Sequence, residues 1–112
     1  MWDHQTRMSL AIHLLGRPRI VSDSRDVYQF RSRKSWALLA FLILSERPPS
    51  RNQLAFLLFA EADDPLRVLR WSLSEIRRSL GQDGAVDGDP VVLSLADGTA
   101  IDVAQVMKGS WV

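Results

Sequence analysis

The chain has no cysteine and only two histidines among its 112 residues. Without thiols there is no disulfide framework and no thiolate metal site, which agrees with a reducing cytoplasm. His4 and His13 have no clustered partners in sequence, so metal binding or histidine catalysis has little to build on. Long apolar runs are missing too. The longest, Trp36 to Leu44, falls far short of the roughly 20 residues a spanning helix needs. The opening MWDHQTRM lacks the layout of a secretory signal. There is no glycine-rich phosphate loop, and the carboxylates Glu61, Asp63, Asp64, Asp87 and Asp89 lie in turns without a matching nucleophile. The expectation is a cytoplasmic, non-membrane protein that is not an enzyme and uses no cofactor or metal.

What is there is ordinary globular material: 46% hydrophobic and 24% charged residues, enough for one domain with a real core. The net charge of +1 conceals a segregation. Residues 17–51 carry +5, residues 52–64 carry −3, residues 65–80 carry +3, and the remainder from Gly81 carries −4. A near-neutral chain divided in this way can present a basic face and an acidic one.

The first half opens with strands. In SLAIHLL, Leu10, Ile12 and Leu14 alternate with Ala11 and His13, the period of a half-buried strand. Gly16-Arg17-Pro18 turns the chain, Arg19 to Val21 can return, and DVYQF (26–30) is a third short strand. SRKSWALLAFLILSE then has apolar residues on nearly every side, as in a deeply buried helix ended by Pro48-Pro49. Ser50 with Gln53 is a capping box that starts a second helix near Arg51, with Leu54, Leu57 and Leu58 facing the core. Trp36, Phe41, Phe56 and Phe59 are read as core packing. Further on, QDGAVDGD is turn-rich, and PVVLSL, Asp97-Gly98 and TAIDV read as a β-hairpin.

Between these lies DPLRVLRWSLSEIRRSLG, residues 64 to 81. Asp64 and Pro65 suit the N-cap and first position of a third helix, and Gly81 suits its end. On a wheel of about 100° per residue, Leu69, Leu73, Ile76 and Leu80 share one sector. Arg67, Trp71, Ser74 and Arg78 fall roughly opposite, Arg70 and Arg77 lie on one shoulder, and Glu75 lies on the other. An outward row of this kind fits a groove reader. Guanidinium groups contact phosphates or take two acceptors on guanine, and Trp71 offers apolar contact to a thymine methyl or sugar. The row also fits a solvated face, although an exposed tryptophan implies a partner. A third helix followed by a hairpin is the layout in which a helix enters the major groove and a wing flanks it.

AIHLLGRPRI, RSRKSWALLAFLILSERPPSRNQLAFLLFAEADDPLRVLRWSLSEIRRSLG and VVLSLADGTAIDV together resemble the amino-terminal DNA-binding domain of SARP-type (antibiotic-regulatory-protein) transcriptional activators. The resemblance runs from about Ser9 to Val106. It implies an α+β fold of the OmpR/PhoB kind: a winged helix-turn-helix with an amino-terminal antiparallel sheet, three helices and a carboxy-terminal β-hairpin wing. Residues 1–8 are then an extension, 9–106 the DNA-binding domain, and 107–112 a tail or the start of the activation domain with which the family continues. Two departures stand out. The second helix ends in Leu58-Phe59 where the family usually has Leu-Trp, and Trp71 stands where a polar residue is commoner.

The function so implied is sequence-specific binding of double-stranded DNA in a bacterial transcription activator, with protomers head to tail on direct repeats. Arg67, Arg70, Trp71, Ser74, Arg77 and Arg78 are the candidate recognition-helix contacts. For Arg77 a salt bridge or a cation at the helix end is the other reading, and for Trp71 a place folded against the wing. Ser32, Arg33, Lys34 and Ser35 open the first helix and are candidates for the DNA backbone, with plain capping by Ser32 compatible. Arg51 joins them at the second helix, and Thr99 is a candidate wing contact. In winged helices of this kind the loop before the third helix faces away from DNA, so Glu61 and Asp63 are candidates for a basic surface of RNA polymerase. The alternative reading is a protein-interaction module using the same arginine face.

Overall fold

The computed structural model describes residues 10–22, 25–28 and 30–102, with no account of the side chains of 22 and 25–28. In chain order the elements are β1 (Leu10–His13), β2 (Arg19–Ser22), β3 (Arg25–Tyr28), α1 (Arg33–Leu44), α2 (Arg51–Leu58), α3 (Pro65–Leu80), a 3-10 turn (Gly81–Asp83), β4 (Gly84–Asp87), β5 (Val92–Leu95) and β6 (Ala100–Ile101). The fold is α+β with winged helix-turn-helix topology. The chain divides into two compact units, one spanning Phe30–Leu95 and one made of the segments that flank it.

The flanking unit is a four-stranded sheet of order β3-β2-β1-β6. β1 and β2 pair antiparallel from Leu10↔Ser22 to His13↔Arg19. The alternation in the sequence holds over β1, where Leu10 and Ile12 are buried and Ala11 and His13 half-buried; Leu14, expected on the buried side, lies past the strand's end and is half-buried, while Ile20 of β2 is buried. β6 lies parallel to β1, with Ala11 opposite Ala100. The Asp102 carboxylate accepts from the backbone N–H groups of Leu14 (2.9 Å) and Leu15 (3.1 Å), which fastens the end of β6 to the turn after β1.

That pairing corrects the expected hairpin. Asp97-Gly98 does turn the chain, but the strand after it joins the first sheet instead of returning along β5. The hairpin is β4–β5, paired from Gly84↔Leu95 to Asp87↔Val92. Two glycines explain why the turn-rich segment can serve as a strand. At Gly84 a Cβ would stand 2.9 Å from the Ser94 carbonyl oxygen, so only glycine allows the approach to β5. Gly88, at φ +90°, takes the turn conformation that other residues rarely adopt.

In the 30–95 unit, each helix begins on a side-chain cap. Ser32 accepts from the Lys34 N–H, Ser50 from the Gln53 N–H and Asp64 from the Arg67 N–H. α1 stops at Leu44, ahead of Pro48: Ser45 is extended, at φ −74° and ψ 132°, and its N–H and hydroxyl both donate to the Phe41 carbonyl. α1 also buries one face only, through Leu38, Leu39 and Leu42, while Leu44 is exposed. On α3, Leu69, Leu73, Ile76 and Leu80 are fully buried as the wheel requires, each contributing about 1.5–3 kcal/mol.

α2 departs further from expectation. It buries Leu54 and Ala55, with Phe59 just beyond its end. Phe56, expected in the core, is 75% exposed, and Leu57 is exposed as well. At about 100° per residue, Leu54, Ala55 and Leu58 share one side, while 56 and 57 fall on the other. The small Ala55 supplies the contact face, so the larger neighbours point outward. Trp36 and Phe41 are half-buried, and the Trp36 and Phe30 rings meet at 4.1 Å between centroids. Among the described residues no helix is long and apolar enough to cross a membrane.

Candidate nucleic-acid interface

The outer face of α3 is built by its inner one. Because the leucine and isoleucine sector is wholly buried, the residues opposite must face solvent. Arg67, Arg70 and Arg78 are exposed, and Trp71 is 65% exposed. Trp71 therefore does not fold against the hairpin. Its ring lies 6.0 Å from the Arg67 guanidinium carbon, and Arg67 also reaches Asp64 at 3.7 Å. Ser74, within the same row, is half-buried. The face thus offers planar cations beside an indole, all anchored on a helix without glycine or proline in its interior. Such groups can pair with phosphate or the acceptor edge of guanine and can pack on sugars.

The beginning of α1 is used differently. Ser32 and Arg33 are exposed, with the Ser32 hydroxyl accepting from the Lys34 N–H at 3.0 Å. Lys34, however, donates its ammonium to the Leu58 carbonyl at 2.7 Å and lies 5.8 Å from the Phe59 ring. It acts as the cation at the carboxy-terminal end of α2. Ser35 is buried and donates to Glu75 Oε1 at 2.7 Å, so it does not reach a DNA backbone. The other oxygen of Glu75 accepts from the Arg31 N–H at 3.2 Å. Glu75 therefore ties the start of α1 to α3. Nothing local in the sequence signals that role, since its partners are 40 and 44 residues away.

Arg51 and Arg77, both expected to contact DNA, have partners on the hairpin. Arg77 donates Nε and Nη2 to the Val86 carbonyl at 3.1 and 3.0 Å and reaches the Asp87 carboxylate at 3.7 Å. This is the salt-bridge reading of that residue. Arg51 donates Nε to the Gly88 carbonyl at 2.9 Å, and its Nη2 lies 3.5 Å from the same oxygen of Asp87. Its backbone N–H also donates to Asp89 at 3.0 Å. Beside it, the buried Val91 donates its N–H to the Pro49 carbonyl at 2.8 Å. The hairpin turn is thus held against the corner between α1 and α2 and braces α3.

Thr99 is not at the hairpin tip. It belongs to the turn before β6, in the other unit, and its hydroxyl donates to the Ala96 carbonyl at 2.6 Å. Glu61 and Asp63 are exposed in the loop between α2 and α3. The fold and this face define a winged-helix unit with an arginine–tryptophan helix surface. Comparison with protein-family models, with curated proteins and with solved structures finds no match.

Proposed function

We propose that this chain is the DNA-reading domain of a bacterial transcription activator of the SARP type, binding double-stranded DNA by sequence and catalysing nothing. One observation carries the reading: a helix in third position of a winged helix-turn-helix keeps Arg67, Arg70, Trp71 and Arg78 exposed opposite a fully buried face. In this reading α3 enters the major groove, with Ser74 at its edge, while Ser32 and Arg33 lie against the backbone. The hairpin supports α3 more than it reads. Two protomers bind direct repeats head to tail. Glu61 and Asp63 contact a basic polymerase surface; activation that survives Glu61→Lys together with Asp63→Lys would remove that element alone.

The test is selection from random duplexes, followed by titration of the enriched duplex against a scrambled one at near-physiological salt. An enriched motif bound at least about tenfold tighter supports base readout. Equal binding to both would leave only a basic surface. A second reading, a protein-interaction module, is favoured by exposed Phe56 and Leu57 on α2, since exposed apolar side chains mark contact surfaces. The same selection separates the two, because a protein-binding module enriches no motif.

A further inference from the structure

The two arginines that find partners on the hairpin are as informative as those on the outer face of α3. Asp87 Oδ1 lies within 3.5 Å of Arg51 Nη2 and 3.7 Å of Arg77 Nη2, so one carboxylate stands between two guanidinium groups from different helices. The Asp87 side chain is 80% exposed and that of Arg77 is 44% exposed, so the cluster lies at the surface. Backbone carbonyls complete it: Gly88 takes one arginine and Val86 the other. The same Asp87 oxygen accepts from the Gly88 N–H at 2.8 Å, which fixes the carboxylate in the turn. Arg77 sits two helical turns beyond the exposed Arg70 on the same shoulder of α3.

Resting on the DNA-binding reading, we propose that Asp87 is a specificity-determining residue: it holds Arg51 and Arg77 off the DNA backbone and so limits binding that ignores sequence. Every arginine that meets a phosphate adds affinity for all duplexes alike, whereas base contacts add it for one. Two more phosphate contacts beside the reading face would raise the background without raising discrimination. The carboxylate supplies the anion those guanidinium groups would otherwise find on DNA, and the carbonyls hold their direction. The hairpin thereby acts as a selectivity filter as well as a brace.

The test is Asp87→Asn, which keeps the side chain's size and its bond to the Gly88 N–H while removing the charge. Binding to a scrambled duplex is measured across a salt series. The expected result is tighter scrambled binding and a log–log salt slope steeper by about one unit for each arginine released. Binding to the selected duplex should gain no more than binding to the scramble, so the ratio of the two stays level or falls. The control is the same exchange with Arg51→Gln and Arg77→Gln added, in which the gain should vanish. A gain that persists there would come from general charge and would overturn the proposal, as would an unchanged slope in Asp87→Asn. Failure of the DNA-reading proposal would show elsewhere, as equal binding of selected and scrambled duplexes by the unaltered protein.

Discussion

Two basic segments of the chain look alike in sequence and behave differently in the fold. The stretch from Ser32 to Ser35, with Arg51, turns most of its polar groups onto the protein: Lys34 onto Leu58, Ser35 onto Glu75, Arg51 onto Gly88 and Asp87. On α3 the proportion reverses, with Arg67, Arg70 and Arg78 exposed and only Arg77 drawn to the hairpin. The difference is one of reach. α2 ends with open carbonyls beside Lys34, and the hairpin turn brings carbonyls and a carboxylate to Arg51 and Arg77. On the far side of α3, Arg67 reaches Asp64 at 3.7 Å, an acid within the helix's own first turn. Charge in a sequence shows what a surface could bind; neighbouring acceptors decide how much of it is available.

The comparison breaks outright if α3 loses its seat. Leu73→Ala removes a fully buried side chain and should cost about 2–5 kcal/mol, read by chemical denaturation, with both basic segments lost together. Ser35→Ala is milder and falls on the inward segment. It takes one donor from Glu75 and should cost about 1.5–3 kcal/mol of stability. The sharpest contrast pairs Arg67→Ala with Lys34→Met. The first should weaken binding to the selected duplex by about 1–3 kcal/mol if it reads a base. The second should cost only about 0.3–1 kcal/mol of stability, for the lost cation at the end of α2, and leave the salt slope of binding unchanged. A lysine that altered the slope as much as the arginine would erase the distinction between the segments.

What the sequence makes legible is local. Ser32, Ser50 and Asp64 cap the helices within three residues of their own position, and the buried sector of α3 follows from angle alone. Leu10 and Ile12 follow from alternation in the same way. Outside α2, the departures depend on distant partners. Gly84-Ala85-Val86-Asp87 is a strand only because β5 lies beside it, and it buries Val86 alone. Ala100–Ile101 reads as a hairpin strand until β1 claims it. Ser35, Lys34 and Arg51 are directed by atoms 24 to 40 residues away. Phe56 and Leu57 depart for another reason: Phe56 lies about 200° from Leu54 on the wheel, and the buried sector of α2 is centred toward Ala55, which leaves Leu57 on the opposite flank of Leu54.

The parallel pairing of β6 with β1 also has a temporal meaning. The first sheet joins Ala11 to Ala100, so its final strand leaves the ribosome long after its first three. The 30–95 unit, by contrast, is continuous in sequence and falls, along the chain, between the two segments of the other. During synthesis its contacts are all available once Leu95 has emerged, while β1 still presents an open edge. Until the last strand arrives, the backbone groups that β6 will satisfy are the ones a chaperone or a neighbouring chain would find first.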